Sequence, residues 1–312
     1  MSSTDRGRTL QVTVVGNPGL DTLVLLAEDA PDLRADGHFV RNVDAVGHAA
    51  TFSALALARL GHRVRVLGSV GDDPAGAMVT AALRSEGIDT SLLFRDPAGT
   101  ARSVNLVFPD GRRTFFYDGG SHMTLTPPAG AVGASLDGAD LVVTTLANWA
   151  RHVLPRARAA GIPVAVDLQD VRWVEDPYRA DFVAGADHLF ASAAHLDDPA
   201  AAADAWLSRG PARTVVLGAG PRGALLRVRS DPAMSAQPPP AVELPVADTT
   251  GCGDSLAVGF LDGLLAQGRS PVQALHRGQV LARIVASGLG PAARYDRGSV
   301  DALAGSTRPL GS

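Results

Sequence analysis

The chain has 312 residues, 46% hydrophobic and 19% charged, with a formal net charge of −4. That length allows one large α/β domain with an appendage and a sizeable core, and the charge gives no electrostatic case for a nucleic-acid partner. All twenty-eight basic residues are arginine and Cys252 is the one cysteine, which excludes a P-loop or Schiff-base lysine, a disulfide framework and a cysteine-based zinc site.

The polar start, Met1 to Thr9, and the short apolar run Val12 to Val15 do not read as a signal peptide. No stretch approaches ~20 uninterrupted apolar residues, so no membrane span is expected. A reducing cytoplasm is the expected compartment. Residues 10–15 read as a buried strand ended by Gly16-Asn17-Pro18-Gly19. Two short extended runs follow, Thr22–Leu26 and His38–Val46, a small β element. Residues 49–60 are an Ala-rich helix stopped by Gly61; 63–69 is a strand and 74–86 a helix. RSVNLVF and RTFFYD flank Asp110-Gly111 and form a hairpin over 102–117, which should pair with the early β element as a small separate sheet.

From 139 onward strands and helices alternate. Strands are expected at 141–145, 164–167, 188–191, 215–217 and 224–228, and helices at 149–160, 177–185, 198–209, 254–267 and 271–287. The proline tract 237–240 reads as a surface loop. Alternation of this kind implies a mostly parallel sheet covered on both faces, with ligands beyond the carboxyl ends of its strands.

The most informative stretch is Asp248-Thr249-Thr250-Gly251-Cys252-Gly253-Asp254-Ser255, which runs into a helix. Gly-x-Gly at a helix start lets an anion approach unpaired N–H groups and the positive end of the dipole. An aspartate in the first turn faces the same spot. Phosphoryl transfer needs such donors, a bridging metal and a base for the hydroxyl proton. A bare Gly-x-Gly is a tight turn more often than a site, but eight residues in this order are far more specific.

This octapeptide resembles the DTTGAGD signature of the PfkB, or ribokinase-like, family of carbohydrate and nucleoside kinases. The resemblance implies a ribokinase-like, Rossmann-type three-layer α/β sandwich: one kinase domain over 1–312, a mostly parallel central sheet and a small β lid at about 22–46 and 102–118. It implies Asp254 as catalytic base and the N–H groups of Gly251, Cys252 and Gly253 as anion hole. Asp248 and Thr250 fall where the family organises a monovalent cation or magnesium waters, and Asp167 where a strand ends near the phosphates.

The likeness extends along nearly the whole chain. Asn17 and Asp21 lie in a segment similar to the family's opening strand and loop, where an aspartate binds substrate hydroxyls. Residues 47–61 are similar to its first signature, but His48 stands in place of the second glycine after Gly47, and Phe52 in place of an asparagine. His48 reads equally as a substrate contact or a cap, and Phe52 reads as core or as a ring facing ligand. Arg102 and Asn105 are lid residues within reach of substrate by the same resemblance. Gly218, Gly220 and Gly223 resemble a nucleotide loop or form a plain turn. Ser192 and His195 stand where the family has Asn and Glu in its NxxE motif.

The reading is an ATP-dependent sugar kinase using Mg²⁺, with a monovalent cation such as K⁺ implied by the resemblance, a homodimer through its lid edges, with an unphosphorylated acceptor. A nucleoside kinase is the first alternative and a catalytically weak sugar- or nucleoside-binding homologue the second.

Overall fold

Alternating strands and helices build one large sheet with helices on both faces. The computed structural model describes residues 7–32 and 34–307, so the first six residues of the polar start lie outside it. The first part of the chain runs β1 (Gln11–Val15), β2 (Gly19–Leu25), β3 (Arg41–Gly47), α1 (His48–Arg59), β4 (Arg63–Val70), α2 (Pro74–Ser85), β5 (Leu93–Arg95), β6 (Arg102–Val107) and β7 (Arg113–Asp118). The second runs α3 (Ala129–Leu136), β8 (Leu141–Thr144), α4 (Leu154–Ala159), β9 (Val164–Asp170), α5 (Ala180–Gly185), β10 (His188–Ser192), α6 (Pro199–Arg209), β11 (Thr214–Gly218), β12 (Ala224–Val228) and β13 (Met234–Gln237). Helices α7 (Cys252–Leu261), α8 (Pro271–Val285) and α9 (Arg297–Ser306) follow.

The large sheet has the order β13-β12-β11-β10-β9-β8-β1-β4-β5 and is parallel except at β12 and β13. Its strands are apolar on both sides, as burial under two helical layers requires. Val14, Val66, Val143, Phe190 and Val216 face the layer that holds α1, α7 and α8. Val15, Leu67, Val142, Val166, Leu189 and Val215 face the layer of α4, α5 and α6. Strand order reverses between β1 and β8, which opens a crevice at their carboxyl ends. The small sheet, β3-β2-β6-β7, stands apart, with the 102–117 hairpin joined to the early β element as the sequence predicts.

Helix α7 lies under the large sheet with its start at the carboxyl ends of the strands. It packs closely on α8, where a Cβ on Gly259 would come within 2.7 Å of the Gly278 Cα. The helix expected over 254–267 changes to a π turn at Asp262–Ala266. There Gly263 lies so near Ala274 of α8 that a Cβ would be 3.1 Å from its Cα. The helix expected over 149–160 is also divided, into a 3₁₀ turn at Asn148–His152 and α4. Pro155 is the reason: it lacks the N–H that would continue a helix but suits the start of one. Strands β5 and β13 and helices α3 and α9 were not expected; β5 has three residues and β13 four, too short for a periodic signal.

At the end of the sheet away from the crevice, Asp262 is fully buried. His62 Nε2 lies 3.0 Å from its carboxylate, Arg277 Nη2 2.8 Å and Arg297 Nη2 2.7 Å. Burial alone would push this carboxyl up, but the His62 hydrogen bond and the two guanidinium charges hold it below the usual range.

Candidate active site

Four helices are closed at their start by a side chain: α2 by Asp73, α6 by Asp198, α8 by Ser270 and α9 by Asp296. Helix α7 has no such cap. Gly251 precedes it at φ +78°, a left-handed turn that glycine adopts without strain. The Cys252 N–H closes a turn on the Thr249 carbonyl at 3.3 Å, so the expected three-donor hole loses one member to the turn. The N–H groups of Gly251 and Gly253 donate to no backbone carbonyl among the described residues. Their N–H groups and the helix dipole are the donors left for an anion.

Asp254 lies in this first turn, half-buried, and no side chain pairs with it among the described residues. Burial pushes its carboxyl well above the usual range and the neighbouring Asp167 charge adds to this, while Arg113 opposes it. Asp167 is raised too, by burial, against a 2.8 Å bond from the Gln169 N–H. It stands midway along β9, just past the last residue paired with β8, and a Cβ on Gly253 would be 4.0 Å from its Oδ2. Arg113 opposes the shift at Asp254 and Arg179 that at Asp167, yet both carboxyls stay raised, which leaves an electrostatically unfinished site.

A second cluster faces this one from the small sheet. Asp21 on β2 is 4% exposed. Its Oδ1 lies 3.4 Å from His48 Nε2, which is also 3.1 Å from Ser103 Oγ. Burial pushes Asp21 up, against the His48 backbone N–H, Ser103, Arg113 and Asn105. Asn105 is buried beside it with an amide nitrogen that finds no partner. Gly47 leaves room for this carboxylate, since a Cβ there would be 1.9 Å from Asp21 Oδ2. His48 holds φ +70°, the left-handed conformation a glycine would take freely. Burial pushes its imidazole down to about 4, so it is neutral at ordinary pH. The two clusters are joined at the hairpin tip, where Thr249 Oγ1 donates to the Gly111 carbonyl at 3.1 Å.

Residues 44–296 match the pfkB family of carbohydrate kinases. The chain belongs to this family. The acarbose 7(IV)-phosphotransferase of Actinoplanes sp. is 33% identical over 257 residues, which cover 82% of this chain and 85% of that one. A microbiome-derived acarbose kinase, Mak1, superposes with a TM-score of 0.88 at 31% identity, covering 96% of this chain and all of that one. The ribokinase of Arabidopsis thaliana, solved with ribose and ATP, shares the fold at a TM-score of 0.77 and 20% identity, covering 95% of this chain and 99% of that one. The fold is ribokinase-like, and the protein is an ATP-dependent phosphotransferase acting on a hydroxyl.

Against the pfkB pattern, several expected site residues take other positions. Phe52 is 6% exposed and packs beneath Gly251, where a Cβ would meet its ring at 2.5 Å. It packs as core under the loop that precedes α7. Arg102 is exposed and alternates to the face of β6 opposite Ser103 and Asn105, away from Asp21. Asn17 is a buried tie: its Oδ1 accepts from Ser69 Oγ at 2.9 Å and Trp149 Nε1 at 3.0 Å, and its amide nitrogen is left unpaired. Thr250 donates to Asp248 Oδ1 through N–H at 2.9 Å and Oγ1 at 2.6 Å, and Gly290 N–H meets Oδ2 at 2.8 Å.

Ser192 and Gly218 are sheet neighbours at the strand ends. Ser192 Oγ accepts from the Ala194 N–H at 3.1 Å. Gly218 packs on Leu256 of α7, and Gly220 holds φ +57° in open space. Gly223 is required by the fold, because a Cβ there would be 2.1 Å from the Gln237 carbonyl. In place of the family's NxxE, His195 Nδ1 lies 2.7 Å from Asp170 Oδ1. Sequence reasoning missed Asp170, Ser103, Arg113 and Tyr117. The alternation in RTFFYD was the available signal, since it puts Arg113, Phe115 and Tyr117 on one face.

Proposed function

We propose that the whole chain acts as one kinase domain that transfers the γ-phosphoryl group of ATP to a hydroxyl of a carbohydrate related to acarbose. The substrate class comes from the two acarbose kinases it resembles over most of its length. The observation that carries the mechanism is the uncapped start of α7, with unpaired Asp254 beside it and Asp21 across the crevice. Asp254 takes the proton of the attacking hydroxyl, and its raised proton affinity suits that task. The Gly251 and Gly253 N–H groups stabilise the charge that develops on the phosphoryl oxygens. Asp21 and Asn105 orient acceptor hydroxyls. The small sheet acts as a lid that keeps water from the phosphoryl group.

The Asp167 carboxylate, raised by burial and set near the start of α7, suits a divalent cation that accompanies ATP. Mg²⁺ held there would neutralise phosphate charge. Asp248 is 1% exposed and its carboxylate is met by neutral donors only, an uncompensated charge that K⁺ nearby would offset. The nucleoside alternative drew on Phe52 facing a base, and its place under Gly251 removes that support. The outer face of the lid exposes Val104 at 42% and Phe116 at 61%, a surface suited to pairing in a homodimer. Solution mass by light scattering tests the dimer. ADP release with Mg-ATP, with and without KCl, across acarbose, simple sugars and nucleosides tests the activity. Turnover of nucleosides alone would sink the carbohydrate reading.

A further inference from the structure

The crevice side of β7 carries more open apolar surface than one acceptor ring requires. Tyr117 pairs with Ser103 and Phe115 with Asn105, so both rings share the face that holds the Asp21 pocket. Phe115 is 56% exposed and Tyr117 49%, while Asn105 beneath the same face is 1% exposed. Neither ring is loose. Tyr117 lies 5.2 Å from the His48 ring and 5.8 Å from that of His122. The Arg113 guanidinium lies 5.3 Å from the Phe115 ring centre. Burial pushes the Tyr117 hydroxyl up to about 12, and the nearby Asp118 and Asp21 charges add to this.

We propose that Phe115 and Tyr117 form a second carbohydrate subsite, next to the Asp21 pocket, which stacks on a neighbouring ring of an oligosaccharide acceptor. This rests on the carbohydrate-kinase reading above. One face of a pyranose presents axial C–H groups and packs on an aromatic ring, while its equatorial hydroxyls point sideways to polar groups. Arg113 lies over one face of the Phe115 ring, leaving the other face for a sugar, and His122 meets the Tyr117 ring at a steep angle, so both stand close enough to meet those hydroxyls. The occupant is continuous with the acceptor, because β6 supplies the pocket and its paired neighbour β7 supplies the rings. A monosaccharide on Asp21 would leave both rings in water. The faces look into the crevice, which suits a chain of sugar rings and not a folded partner.

The test compares kcat/KM for glucose, maltose, maltotetraose and acarbose with Mg-ATP and the full chain. The expected result is a four-ring acceptor favoured over one ring by about tenfold or more, the worth of one well-placed aromatic contact. Phe115→Ala should lower that ratio about tenfold through acceptor KM, and Phe115→Tyr should restore it. A wild-type ratio near one, or a ratio that Phe115→Ala leaves unchanged, overturns the subsite and leaves the kinase reading standing. No acceptor-dependent ADP release from any of the four overturns both the acceptor class and the subsite.

Discussion

Asp254 and Asp262 lie on one continuous helical run and have opposite surroundings. Asp262, at the far end of the sheet, is met by His62, Arg277 and Arg297, all within 3.0 Å, and its carboxyl is held low. Asp254, at the crevice, faces Asp167 and has its carboxyl pushed up. The same residue type is finished electrostatically at one end and left unfinished at the other. Stability is gained where charges are paired. Capacity for chemistry is stored where they are not, because an unpaired carboxylate and free N–H groups are satisfied only when substrate arrives.

The largest expected effect tests the crevice end. Asp254→Asn should lower kcat by about 10²–10⁴ with ATP still bound, since positioning and the anion hole survive. It should also leave Tm unchanged or raised. A carboxyl raised in the folded state destabilises it at neutral pH, and acid relieves that penalty by protonation. The substitution removes the charge, so its Tm should gain less on acidification than the wild type's. Thermal melts at pH 7 and pH 5 read this, and a Tm that falls sharply at pH 7 would contradict it.

Asp262→Asn should reverse the pattern. It leaves Arg277, whose side chain is fully buried, facing no full charge at that position. Loss of one partner of a buried pair costs about 3–5 kcal/mol, read by urea unfolding. Arg277 also reaches Asp301 at 2.7 Å, which places the effect toward the lower figure. kcat and both KM values of the folded protein should stay near wild type. A kinetic effect as large as the stability effect would break the contrast between the two ends.

A smaller effect is expected at the loop that joins the anion site to the core. Gly251→Ala must adopt φ +78° and bring its Cβ within 2.5 Å of the Phe52 ring. Left-handed backbone costs roughly 1–2 kcal/mol and overpacking roughly 1–3. Together these predict a loss of about 2–5 kcal/mol with KM for ATP raised. Adding Phe52→Leu should return the steric part and leave the backbone part, a coupling that a double-mutant cycle measures.

The loop at the head of α7 was legible in the sequence because a short contiguous segment makes it: glycine for the turn, aspartate in the first helical turn, an apolar helix after it. The acceptor side was legible only in part. Asp21 follows a recognisable turn at the start of β2, but Ser103, Arg113 and Tyr117 reach it through pairing of β2, β6 and β7, which is set by register between distant segments. Arg102 failed for the same reason, since strand alternation turns it outward from its neighbour Ser103. Phe52 was left open between core and ligand-facing because the glycine that decides it, Gly251, lies far along the chain. The Asp262 network was invisible for a related cause: His62, Asp262, Arg277 and Arg297 carry no local pattern and meet only when the helices pack.

The smallest effect expected sits where both demands fall on one residue. His48 keeps a left-handed backbone, which costs a side chain that a glycine would avoid, and fills the space between Asp21, Ser103 and Tyr117. His48→Ala keeps the strained backbone and loses the ring; His48→Gly loses both. Their difference isolates the strain, and His48→Gly should be the more stable of the two by about 1 kcal/mol after glycine's greater unfolded freedom is set against it. Both should raise acceptor KM while KM for ATP holds, because Asp21 loses the neighbour that fixes it. If glycine restored stability with acceptor KM untouched, the imidazole would be filler, and the conformation at residue 48 would have no part in reading the acceptor.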